Sequence, residues 1–141
     1  MRRKAGRSMA TIDEVKQFLD ECGLYILATE MDGQPYARPF GAHTIFEGKL
    51  YFQTGKVKEV AAQLEKNPRV EICASKPTAW LRLRGQLVED PRIEAQEALL
   101  EANPGLRALY APGDGNTCVF YLDNATAGFF SFADEPRIER F

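Results

Sequence analysis

The sequence predicts a mainly β, α+β domain in which antiparallel strands close into a barrel flanked by three helices. Short β-rich runs are separated by turn pairs such as Asp32-Gly33 and Glu47-Gly48, which join neighbouring strands tightly. Helical periodicity appears in only three brief windows. The apolar content, 45% of 141 residues, is enough for one core in a chain of this length. Closing such a sheet removes its exposed edges, which favours a barrel over an open sheet.

Thr11-Ile12-Asp13-Glu14 reads as a capping box, and Ile12, Val15, Phe18, Leu19 and Cys22 recur at helical spacing up to a stop at Gly23. Leu24 to Thr29 is β-rich, and Tyr36 to Phe46 gives a second strand interrupted at Pro39 and Gly41. Leu50 to Gln53 completes a three-stranded meander. The period then changes: Val57, Val60, Ala61 and Leu64 fall at i, i+3, i+4 and i+7, predicting a helix between Thr54 and Pro68. Val70 to Ala74 and Trp80 to Val88 read as two further strands. Asp90-Pro91 has the form of an N-cap followed by a first-turn proline, opening a helix over Arg92 to Ala102 that Asn103-Pro104-Gly105 ends. Cys118 to Leu122 and Ala127 to Phe132 read as a closing hairpin.

Eighteen basic and twenty acidic residues spread along the chain leave a formal charge of −2, so no global field favours nucleic acid or an anionic membrane. Any anionic ligand must be met by local basic residues. Three cysteines, far apart and without a C-x-x-C pair, argue against a disulfide framework and a zinc site and point to a reducing, cytoplasmic setting. The basic segment 1–10 lacks an apolar signal core and reads as a disordered tail ahead of a domain at 11–141. No run approaches the roughly 18 apolar residues that cross a bilayer.

The chemistry-bearing feature is Arg38-Pro39 on an interrupted strand, followed about 16 residues later by Thr54-Gly55-Lys56-Val57-Lys58 ahead of a helix. Exposed N–H groups at a helix start, a glycine and nearby cations form a phosphate cradle. A solvated lysine face with Thr54 as a simple cap accounts for the same residues about equally well. His43, the single histidine, reads as an ordinary strand residue. Trp80 reads as core or interface, and Arg82 and Arg84 alternate with leucines, sharing the outward strand face.

With helix, Leu24-Tyr25-Ile26-Leu27-Ala28-Thr29, Asp32-Gly33-Gln34-Pro35, Arg38-Pro39-Phe40, Leu50-Tyr51-Phe52-Gln53-Thr54 and Asn67-Pro68-Arg69-Val70 in this order, the chain resembles the pyridoxamine 5′-phosphate oxidase-like, FMN-binding split-barrel family, in its small single-domain branch. The resemblance implies a six- to seven-stranded antiparallel split β-barrel and a homodimer with FMN in the groove between subunits. Arg38 and Lys58, with Thr54, Gly55 and Lys56, are then the phosphate ligands. Pro39, Phe40, Phe52 and Gln53 flank the ring and ribityl chain, and either the Trp80-Leu81-Arg82 strand, through Arg82, or the Phe129–Phe132 strand contributes from the partner. The helix position where true pyridoxamine-phosphate oxidases carry lysine is Val60, and their Arg- and His-rich C-terminal segment is missing, so that specific oxidation is not expected. The resemblance implies an oxidoreductase that uses a nicotinamide or other donor. A flavin-binding or sensing module without turnover, and a barrel for F420 or haem, stay open.

Overall fold

The computed structural model describes residues 9–141; residues 1–8 of the basic segment lie outside the described part. Its elements run α1 (Thr11–Cys22), β1 (Tyr25–Met31), β2 (Gln34–Phe40), β3 (His43–Phe46), β4 (Lys49–Gly55), α2 (Glu59–Lys66), β5 (Arg69–Ser75), β6 (Ala79–Asp90), α3 (Ile93–Ala102), a 3₁₀ turn (Pro104–Ala108), β7 (Thr117–Ser131) and β8 (Arg137–Arg140). All eight strands join one antiparallel sheet in the order β2-β1-β5-β6-β7-β4-β3, with β8 paired to β7.

That order explains the barrel. The outermost strands, β2 and β3, are consecutive in the chain and joined only by Gly41-Ala42, so the sheet must curl until its two ends meet. A seam remains between β2 and β3, which do not pair with each other. The predicted meander is therefore two hairpins, β1-β2 and β3-β4, at opposite ends of the sheet. Both turns use positive φ at consecutive residues, Asp32 and Gly33 (55° and 84°) and Glu47 and Gly48 (51° and 78°), the backbone that matches the twist of paired strands.

Inward residues of five strands, among them Leu27, Phe52, Ile72, Leu83 and Ala127, share one core with Val15 and Leu19 of α1, and each of these is fully buried. Burying an apolar side chain of this size contributes about 1.5–3 kcal/mol, so this interior holds the barrel shut. Alternate residues of β4 and β7 face the other way, where Tyr51 and Val119 pack on Ala95 and Leu99 of α3. Tyr51 donates a hydrogen bond to Asp90 at 2.7 Å.

Several expected boundaries shift. Ala10, not Thr11, precedes the first helical residue, and no side chain caps α1; Thr11 already lies in the first turn, so its hydroxyl sits beyond the capping position. Helix α2 begins only at Glu59, leaving Val57 84% exposed. Asp90 ends β6 instead of capping α3, because its carboxylate is taken by Tyr51 and Arg92. The closing hairpin is a single strand, β7, in which Asn124 takes φ 54° opposite a register shift at Arg84/Gln86. Strand β8 is additional to the strands predicted.

Candidate functional site: a cavity at the seam of the barrel

The residues at the seam line a cavity of about 730 Å³, within the ordinary range for small-molecule sites. Arg38, Pro39 and Phe40 at the end of β2 form one wall. Gln53 and Thr54 of β4 line the cavity as well, and Lys58 stands where α2 begins. Leu106 of the 3₁₀ turn and Tyr110 also line it. Asn103, also in the lining, ties the end of α3 to β3 by donating from Nδ2 to the carbonyls of His43 (3.1 Å) and Leu99 (3.0 Å).

The Arg38 guanidinium is held from below. Its Nη1 donates to the Leu27 carbonyl at 3.1 Å and to Thr29 Oγ1 at 2.9 Å, and its Nη2 donates to Gln63 Oε1 at 2.5 Å. Burial pushes its pKa below the ordinary arginine range and the Glu59 carboxylate partly opposes this; an arginine so shifted is still a cation at neutral pH. Gln53 is 7% exposed, and neither its amide nitrogen nor its amide oxygen has a partner among the described residues. A buried primary amide left without bonds is costly, and this residue also lines the cavity.

The turn between β4 and α2 is less open than the sequence suggests. Lys56 N–H is spent on the Asn116 carbonyl at 2.8 Å, Val57 N–H on Asn116 Oδ1 at 3.3 Å, and Lys58 N–H on the Gly55 carbonyl at 3.0 Å. Gly55 packs closely here: an added Cβ would meet side-chain atoms of Asn116 at 3.1 Å and Tyr110 at 3.2 Å, which would have to give by a few tenths of an ångström. Seven of the residues singled out in the sequence thus gather around the cavity: Arg38, Pro39, Phe40, Gln53, Thr54, Lys58 and, just behind it, Gly55. Three do not. Phe52 points into the core with no exposure, and Lys56 borders a separate depression beside α2. Arg82 lies on the outer sheet face, bonded to Glu71 at 2.6 Å. Thr29, Gln63, Asn103, Asn116 and Tyr110 were not foreseen. Only Gln63 carried a signal, being a polar residue on the apolar stripe between Val60 and Leu64.

His43 is buried under the seam with both ring nitrogens engaged, by Tyr25 Oη at 2.8 Å and by Asp20 Oδ1 at 2.6 Å. The Asp20 carboxylate only accepts, so Nε2 carries the proton and Nδ1 accepts from Tyr25. Burial holds the imidazole below its usual pKa, partly offset by Asp20.

The family model described as pyridoxamine 5′-phosphate oxidase matches residues 11–131, from the first helix to the end of β7. The chain belongs to this family. A member-like solved structure, a NimC/NimA family protein from Clostridium acetobutylicum, is 37% identical over 92% of this chain and 91% of its own, with a TM-score of 0.88. The pyridoxamine 5′-phosphate oxidase fold extends to more distant structures. A pyridoxamine 5′-phosphate oxidase-related, FMN-binding protein from Nostoc punctiforme is 21% identical over 96% of this chain and 99% of that one, at TM-score 0.61. A haem-binding protein from Mycobacterium smegmatis is 16% identical over 95% of this chain and 59% of that one, at TM-score 0.71. No curated protein matches the chain.

Proposed function

We propose that the protein is a homodimeric FMN-binding oxidoreductase acting on a small molecule, with the flavin in the seam cavity of each subunit. The observation that carries this reading is the convergence of Arg38, Lys58 and the unsatisfied Gln53 amide on one cavity of ligand size. Arg38 and Lys58 bring two cations to the cavity lining, where they suit a phosphate. Gln53 offers a donor and an acceptor to the polar edge of a planar ring, and Phe40, Leu106 and Tyr110 offer apolar surface to its faces. FMN, when bound, supplies one- and two-electron redox chemistry, which accounts for a site without a built nucleophile. The family and the FMN-binding relative support the choice of cofactor. Haem ligation through His43 is disfavoured, because both its ring nitrogens are already engaged.

The outer face of the sheet supports a partner subunit. Directly paired residues lie on the same face, so Pro39 at the cavity wall begins a cross-strand row that continues through Ile26, Cys73, Arg82, Gly128 and Ile138. Beside this row Trp80 stacks on Phe130, with centroids 5.5 Å apart and planes 8° from parallel, and packs against Phe132. Phe132, Ile138 and Ile26 are 78%, 58% and 44% exposed. An apolar face of this kind, continuous with a ligand cavity, suits a second copy that completes the groove.

The test is reduction of the FMN-loaded protein by NADH and NADPH, followed by turnover with an added acceptor. The proposal expects bleaching of the oxidised flavin bands and their return. A bound flavin that no donor reduces would leave a binding or sensing module instead.

A further inference from the structure

We infer that Gln63 and Thr29 are positioning residues that aim Arg38 at an oxyanion; the inference rests on the proposed FMN site and specifies how its phosphate end is built. Arginine carries five N–H donors in a planar fork. Three are taken inside the protein, two on Nη1 by the Leu27 carbonyl and Thr29 Oγ1 and one on Nη2 by Gln63 Oε1. One N–H on Nε and one on Nη2 remain, and the residue lines the cavity. Two such donors match two oxygens of a phosphate.

The holding residues are themselves fixed. Thr29 is 4% exposed and its hydroxyl donates to Gln63 Oε1 at 2.5 Å while accepting from Arg38. The Gln63 oxygen thus accepts two hydrogen bonds. Because arginine only donates, the Gln63 amide must keep its oxygen toward Arg38, and its Nε2, fully buried, is left with no partner. A methionine of similar length would fill this position on the apolar face of α2 without the unsatisfied Nε2, at the cost of the acceptor that Thr29 and Arg38 now share. A buried glutamine that can satisfy only half its amide is poor core packing, and it has a purpose if its oxygen orients the guanidinium. The same bond ties α2, which brings Lys58, to the β1-β2 hairpin, which brings Arg38, so the two cations sit on one rigid unit.

The experiment compares the dissociation constants of FMN and riboflavin, which differ by the phosphate, for wild type and for Gln63→Met, Thr29→Val, Thr29→Ser and Arg38→Ala, with thermal melting of each. The expected result is that Gln63→Met and Thr29→Val weaken FMN about tenfold and riboflavin less than about twofold. Thr29→Ser, which keeps the hydroxyl, retains the preference. Gln63→Met has no further effect in the Arg38→Ala background, since its influence passes through that side chain. Its melting temperature reports the balance between removing the unpartnered Gln63 Nε2 and leaving the Thr29 hydroxyl and Arg38 Nη2 without their acceptor, so the split between the two ligands is the deciding readout: a merely structural role predicts equal loss of both. A wild type that prefers FMN strongly, with Gln63→Met unchanged or equally impaired toward both ligands, overturns this inference alone. A wild type that binds FMN no tighter than riboflavin overturns the phosphate site and this inference with it.

Discussion

Arg38 is the side chain on which the proposed site turns, and its environment shows why an arginine stands there. A guanidinium has enough donors to be gripped on one side and still offer bonds on the other, which a lysine ammonium cannot do with the same directionality. Replacing both Arg38 and Lys58 with alanine is expected to weaken FMN binding by a few kcal/mol, because charge-assisted bonds to phosphate contribute about 1.5–3 kcal/mol each, the exposed Lys58 at the low end. Calorimetric titration reads this directly, and unchanged affinity contradicts the assignment. The buried His43 gives a separate, pH-dependent expectation. Its folded-state pKa lies below the unfolded value, so between the two the unfolded chain binds more protons. Stability is then full above about pH 6.5 and falls as the pH drops through the window beneath it. Asp20, whose pKa is raised by burial but lowered overall by its bonds to Lys16 and His43, adds a further loss on acidification through and below the normal carboxylate range. Denaturant unfolding at pH 7 and pH 5 checks this, and His43→Gln should lose the upper part of the dependence. At this scale Arg38 was legible, because an arginine before a proline on an interrupted strand stands out. Its holders were not, since Thr29, Arg38 and Gln63 meet only after a hairpin and a helix have docked.

Among the elements, the strands and helices followed from period and turn chemistry, and the errors cluster where polar residues serve a different purpose from the one their type suggests. Asp123-Asn124 has turn composition, yet the chain continues as one strand: Asn124 takes a left-handed conformation to accommodate the irregularity opposite Gly85. Gly85 is required there, because a Cβ would lie 2.7 Å from the Asp123 carbonyl oxygen and 3.0 Å from Leu122 Cδ1. Gly85→Ala is therefore expected to destabilise the protein by about 1–3 kcal/mol in denaturant unfolding, since backbone must move to admit the methyl group. A cost near zero would mean that the bend between the halves of β6 and β7 is soft. Asp90 likewise has cap chemistry and instead holds Tyr51 and Arg92 together, with its carboxyl kept well below the ordinary range mainly by Arg92. The delayed start of α2 has the same kind of cause: Asn116, far along the chain, takes the amides of Lys56 and Val57 and holds that segment as a turn.

For the whole molecule, the decisive feature is that the two end strands of the sheet are sequence neighbours. Gly41-Ala42 forces closure and also leaves the seam where the cavity forms, so the barrel and its site share one cause. The sequence made the barrel legible through its run of turns; the outer row from Pro39 to Ile138 depends on strand register, which no local pattern specifies. The proposed dimer predicts that Phe132→Asp combined with Ile138→Asp lowers the sedimenting mass to that of one chain at micromolar concentration and weakens flavin retention, with the monomer fold kept by circular dichroism. The central claim is tested most directly by the absorbance spectrum of the purified protein after mixing with FMN and removing the excess. Oxidised-flavin bands at about one flavin per chain, absent from the Arg38→Ala, Lys58→Ala variant, are the predicted result. A wild-type protein that emerges colourless while still folded would contradict the account.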